Sequence, residues 1–232
     1  MIGFIQQMIN GLSIGSVYAL MAVGYSLVYS IMNFSNFAHG GVIMIGSYIG
    51  FFCISLLNFS FPVAFVTAAL GSGILAIIVE RVAYNPLRKR NAPFLYFIIS
   101  AMGASIFLEN IVVATIGPTF RTYPPVFSAT PIQIGGLTIG RLDVLMFVIS
   151  AISLSILVYI IEKTKIGLAI RATSYSSKGS TLMGVNVDKV IFTIFLLGGI
   201  LAGIAGVLFG MKYTVYPQIG AITMTEILRQ YF

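Results

Sequence analysis

Two stretches of this 232-residue chain hold most of the side chains that could do chemistry. The first is Asn33-Phe34-Ser35-Asn36-Phe37-Ala38-His39-Gly40, which contains the single histidine. Two amides and an imidazole supply donors and acceptors without fixed charge. Polar groups at membrane depth are costly and therefore face a bundle interior or a wet cavity. Asn33, Asn36 and His39, with Phe37 and Gly40 beside them, would then line a solute path through a re-entrant turn. The alternative is an ordinary loop with His39 exposed at its end. Neither a second histidine nor a carboxylate lies nearby, so metal binding or base catalysis at His39 has nothing to build on.

The second stretch is Lys163 to Lys189, KTKIGLAIRATSYSSKGSTLMGVNVDK, the longest polar and basic interruption between apolar runs. Ile166–Ala172 is expected to form a short helix, and Ser180–Gly184 to end one at a glycine. Apolar faces with basic flanks make a docking surface for a partner in water. The alternative is a loop that fixes topology and touches anionic headgroups.

Other chemistry is sparse. Glu109 falls inside an apolar run as Phe107-Leu108-Glu109-Asn110. It reads either as a proton or cation relay or as a carboxylate toward the external end of the span, paired with Asn110 or wetted by the external cap. The lone Cys53 allows no intrachain disulfide, and no Cys/His metal spacing occurs. There is no phosphate-binding glycine loop, no Ser/His/Asp or Cys/His set and no carboxylate pair. The residues give an enzyme nothing to work with, and any ATP hydrolysis would belong to another chain.

These stretches are positioned by a chain that is 58% hydrophobic and 8% charged, with mean hydropathy +1.02. A soluble domain carries about 25% charged residues, so this composition implies an all-α, polytopic transmembrane bundle. The net charge of +7 does not point to nucleic acid, because no stretch interleaves basic and aromatic residues. Membrane-crossing runs of about 20 residues fit at 8–31, 41–57, 62–82, 94–117, 142–162 and 190–212. The first run lacks the basic flank of a secretory signal and is expected to remain as a span. Lys and Arg crowd the 81–93 and 163–189 loops and thin out at 118–141, which assigns the first two to the cytoplasm and the N-terminus to the outside. Ile132–Ile139, alternating around Gly135-Gly136, reads as a hairpin, in a loop that Pro118, Pro124, Pro125 and Pro131 keep ordered but non-helical. Gly11/Gly15, Gly199/Gly203 and Gly206/Gly210 are spaced for close helix packing.

Four segments together resemble one family. They are NGLSIGSVYALMAVGYSLVYSIMNFSNFAHGG (Asn10–Gly41), ERVAYNPLR (Glu80–Arg88), GLAIRATSYSSKGSTLMGVNVDKVI (Gly167–Ile191) and LLGGILAGIAGVLFG (Leu196–Gly210). The chain is similar, over about residues 5–225, to the permease subunits of branched-chain amino-acid ABC importers of the cell inner membrane. The resemblance implies a second permease chain, two cytoplasmic ATPase subunits and an extracytoplasmic substrate-binding protein that delivers leucine, isoleucine or valine. It implies no cofactor and no metal. It places Asn36–Gly40 near the pathway between permease chains, and it makes the 163–189 loop the ATPase contact, with Arg171, Lys178, Leu182, Met183 and Gly184 as docking residues. Related chains serve urea, short amides and sugars.

Two departures stand out. Lys178-Gly179-Ser180 replaces the family's usual Glu-Ala-Ala, and glycine inside a helix costs about 1 kcal/mol against alanine. After Tyr216-Pro217 the family normally continues through about two more spans, whereas here the resemblance fades near Thr225. A C-terminally truncated permease is therefore expected. The rival readings are a secondary transporter or channel built on Glu109, and a fragment that inserts without assembling.

Overall fold

The structure, a computed structural model, describes residues 2–125, 132–134 and 137–231. Six of its helical stretches are long and apolar enough to cross a membrane. The order is α1 (Ile2–Met32), α2 (Ala38–Ser55), α3 (Phe61–Val79), a π-helical turn (Glu80–Tyr84), α4 (Asn85–Lys89), α5 (Phe94–Ile116), β1 (Ile132–Ile134), β2 (Leu137–Ile139), α6 (Arg141–Lys163), α7 (Lys165–Tyr175), α8 (Ser177–Leu182), α9 (Val187–Lys212) and α10 (Ile219–Tyr231). The chain forms the helical bundle that its composition implies.

α9 is the axis, touching α1, α2, α3, α6, α7 and α8. Its glycines let it approach backbone to backbone. A Cβ on Gly199 would meet the Ser72 carbonyl at 2.7 Å, one on Gly203 the Ala68 carbonyl at 2.7 Å, and one on Gly206 the Ile43 carbonyl. Lipid gives no hydrophobic drive for helix association, so such contacts hold the bundle. Gly11 and Gly15 do not join in. They sit on an exposed part of α1 with nothing within 4 Å of a would-be Cβ.

The two Lys/Arg-rich segments lie at one end, where Arg88 Nη2 donates to Asp188 Oδ1 at 2.8 Å. At the other end the Gln6 side chain brackets Thr138, donating to its carbonyl at 2.7 Å and accepting its N–H at 2.9 Å. β1 and β2 pair antiparallel, Ile134 opposite Leu137. The turn glycines Gly135 and Gly136, and Pro131, lie outside the described residues. Ser13 and Lys212 both donate to the buried Asp143 carboxylate, which ties α1, α6 and α9 together there. Arg121 and Val215 exchange backbone hydrogen bonds of 2.9 and 2.8 Å. Close by, burial pushes the Tyr123 phenol up while its hydroxyl donates to the Ser47 carbonyl at 2.7 Å.

The second span starts earlier than its apolar run suggests. α2 begins at Ala38, so His39 and Gly40 belong to its first turn and not to a loop. His39 lies against Gly24, about two turns before the end of α1. Gly24 in turn meets Gly198, about three turns into α9. α2 thus starts inside the thickness of the bundle. α10 starts beside it, Gly220 facing Gly40 so closely that a Cβ on either would overlap the other's carbonyl.

Gly206→Ala is expected to cost about 1–3 kcal/mol by overpacking α9 on α2, lowering the thermal unfolding midpoint in detergent. Gly11→Ala should leave that midpoint unchanged. Equal midpoints for the two variants would contradict this packing.

Candidate functional site

The polar turn is built from the end of one helix and the buried start of the next. Asn33 takes φ +53° and donates its N–H to the Tyr29 carbonyl at 2.9 Å, closing α1. Asparagine tolerates that left-handed geometry better than most residues. Asn33 is exposed, so it does not line the interior with the others. Phe34 tucks its ring edge-on against Tyr84, 5.1 Å between centroids, and lies 5.3 Å from Phe97. Asn36 is buried and accepts a 2.6 Å hydrogen bond from the Tyr84 hydroxyl. Phe37 is half-buried just before α2.

His39 is 3% exposed, and its Nε2 has no partner among the described residues. Its ring lies 6.3 Å from that of Tyr25. Gly40 is pinned by Gly220. The structure therefore brings Asn36, His39 and Gly40 inside the bundle and leaves Asn33 at its margin. The space beside them is a void of about 10 Å³ lined by Val28, Asn36, His39, Val42, Phe195 and Gly199, among others. That is room for one water at most. A solute the size of an amino acid does not fit in that void.

Several partners were not evident from sequence. Tyr84 and Gly220 each hold one side of the turn. Ser47, Tyr48 and Ser72, buried in α2 and α3, carry hydroxyls with no hydrogen-bond partner among the described residues. Tyr216-Pro217 followed by Gly220 was the available signal, since it repeats a break-then-glycine pattern after a Gly-rich helix.

The basic segment forms the two short helices α7 and α8. Thr164 and Ser176 cap them, each side-chain oxygen accepting from a glycine N–H three residues on, Gly167 and Gly179, both at 3.1 Å. Gly179 therefore lies in the capped first turn of a six-residue helix, not in a helix interior. α8 ends in a Schellman motif. Val185 N–H bonds the Ser180 carbonyl, Gly184 N–H bonds that of Thr181, and Gly184 has φ +82°, a conformation glycine adopts freely. Leu182 and Met183 are 88% and 87% exposed at this stop, and Tyr175 is 96% exposed. Lys178 is exposed as well. Arg171 belongs to another face, lining a cavity of about 350 Å³ with Val23, Ser26, Leu27 and Ser30 of α1.

Glu109 does not pair with Asn110. It accepts from Ser105 Oγ at 3.4 Å, while the Asn110 amide donates to the Ile106 carbonyl at 2.8 Å. Among the described residues no cluster of His, Cys, Asp and Glu could hold a metal.

Tyr84→Phe strands the buried Asn36 carbonyl oxygen, a loss of about 1–3 kcal/mol. Adding Asn36→Ala should cost less than the sum of the two single changes. Additive losses in thermal or denaturant unfolding would show that the two groups are not coupled.

The sequence profile described as branched-chain amino acid transport system, permease component, matches residues 7–228. The high-affinity branched-chain amino acid transport system permease protein BraD of Pseudomonas aeruginosa is 38% identical over 230 residues, covering 94% of this chain and 74% of BraD. LivH of Escherichia coli, with the same descriptive name, is 37% identical over 230 residues, covering 94% and 74%. A probable LivH of Methanocaldococcus jannaschii is 28% identical over 223 residues, covering 91% and 68%. No solved structure matches the chain. By profile, by identity and by its six-span helical bundle, the chain belongs to the branched-chain amino acid transport permease family.

Proposed function

We propose that this chain is an inner-membrane permease subunit of an ABC importer that moves leucine, isoleucine and valine. It performs no chemistry itself. It works with a second permease chain, two cytoplasmic ATPase subunits and an extracytoplasmic binding protein. Asn33, Asn36, Phe37, His39 and Gly40 border the path, with Asn33 at its mouth and His39 at its closed centre. Lys178, Leu182, Met183 and Gly184 form the ATPase contact, with Arg171 beside the gap between α7 and α1, which Ser174 spans by donating to the Ser30 carbonyl at 2.7 Å.

The observation that carries this reading is the apolar tip of α8. Leu182 and Met183 stand in water at the Lys/Arg-rich end of the bundle, with Tyr175 exposed on the neighbouring α7. Two side-chain caps and a Schellman stop fix the helices that present them. Burying one such side chain against a partner is worth about 1.5–3 kcal/mol. The family relationship supplies the partner's chemistry, and ATP binding drives transport by favouring one access state over the other.

Met183→Glu should reduce recovery of the co-expressed ATPase subunits in a pull-down by about ten-fold, the loss of roughly one such contact. Gly11→Ala, toward the opposite end of α1 with nothing within 4 Å of its Cβ, should recover them fully. Undiminished recovery with Met183→Glu and Leu182→Glu combined would contradict the docking assignment.

A further inference from the structure

The docking helices and the polar turn are joined by a short, continuous set of contacts at the Lys/Arg-rich end. Glu80 is 2% exposed, a carboxylate that needs a cation if it is to stay charged there. Arg88 supplies the closer one, Nη1 donating to Glu80 Oε1 at 3.1 Å, while the more exposed Arg81 lies 3.6 Å from Oε2. The other arm of the same guanidinium reaches Asp188 Oδ1 at 2.8 Å. Asp188 lies in the first turn of α9, after Gly184 closes α8. A planar, two-armed guanidinium suits such a bridge, where a lysine could hold only one side well.

Glu80 and Arg88 flank an irregular piece of helix. Asn85 N–H bonds the Glu80 carbonyl, one residue further back than in an α-helix. Pro86 follows and has no N–H to restore the regular ladder. The Ala83 carbonyl accepts from Ser100 Oγ at 2.9 Å. A π-turn of this kind is common at functional positions. Its last residue is Tyr84, fully buried, which holds Asn36 through its hydroxyl and packs on Phe34 and Phe195.

We propose that Arg88, bridging Glu80 and Asp188, is the positioning residue that carries displacement of α7–α8 into the Asn36–His39 turn. This rests on the reading of α8 as the ATPase contact. Movement of α8 shifts Asp188, and Asp188 pulls Arg88. The Glu80–Tyr84 turn changes register, and Tyr84 moves Asn36 and the start of α2. The Asp188 side chain is 72% exposed, so altering it removes the outer arm of the bridge without opening the core.

The test uses the assembled complex with its ATPase subunits. Ser35→Cys in a Cys53→Ser background places one thiol in the polar turn. Its rate of labelling by a water-soluble maleimide is measured with and without a non-hydrolysable ATP analogue. The parent complex should change rate about five-fold or more, a typical coupling between linked sites. Asp188→Asn should erase the nucleotide response while the ATPase subunits still co-purify, and Asp188→Glu should restore it. A full response in Asp188→Asn would overturn the proposal. A parent complex that holds its ATPase subunits but shows no response would overturn it too, leaving the docking assignment standing. A parent that never retains those subunits overturns the docking assignment, and the bridge's role with it.

Discussion

The close approach of α9 to α2 and α3 is the constraint on which the rest of the structure depends. Backbone amides cannot be left bare at membrane depth, and irregular backbone survives there only when buried in protein or lining a cavity. The break at 33–37 and the start of α10 both lie inside the bundle. They are possible because Gly199, Gly203 and Gly206 let α9 wall off that interior at backbone distance. Side chains larger than hydrogen would push α3 outward from Gly199 and Gly203 and α2 outward from Gly206, opening the broken segment to lipid.

That wall also explains why the site is closed. Two helices begin face to face through Gly40 and Gly220, with His39 beside them lacking a hydrogen-bond partner for Nε2 among the described residues. Discontinuous helices meeting near mid-span are a recurring way to place a transport site, because their first turns bring N–H groups to the same region. The void beside the polar turn holds one water at most. The π-turn at Glu80–Tyr84 meets the start of α2 through the Tyr84–Asn36 hydrogen bond.

How much of this was legible in the sequence differs by feature. Hydropathy and length are properties of whole spans, so the six helices followed directly. The capped helices at 165–182 were partly visible because Gly184 marks its own stop. The start of α2 was misplaced because Asn36 and His39 look like loop residues until Tyr84 and α9 are packed around them. Gly11 and Gly15 have the spacing of Gly199 and Gly203 but meet nothing within this chain, since spacing does not say which face a neighbour will cover. The Arg88–Asp188 half of the bridge joins residues 100 positions apart, and no local pattern announces it.

The most direct test of the central claim is leucine uptake into proteoliposomes containing the full complex, with ATP on the side of α7 and α8 and the binding protein on the other. The account predicts uptake that requires ATP, the binding protein and this chain, and that is lost when this chain is omitted. Leucine flux through the purified chain alone, without ATPase subunits or ATP, would contradict it.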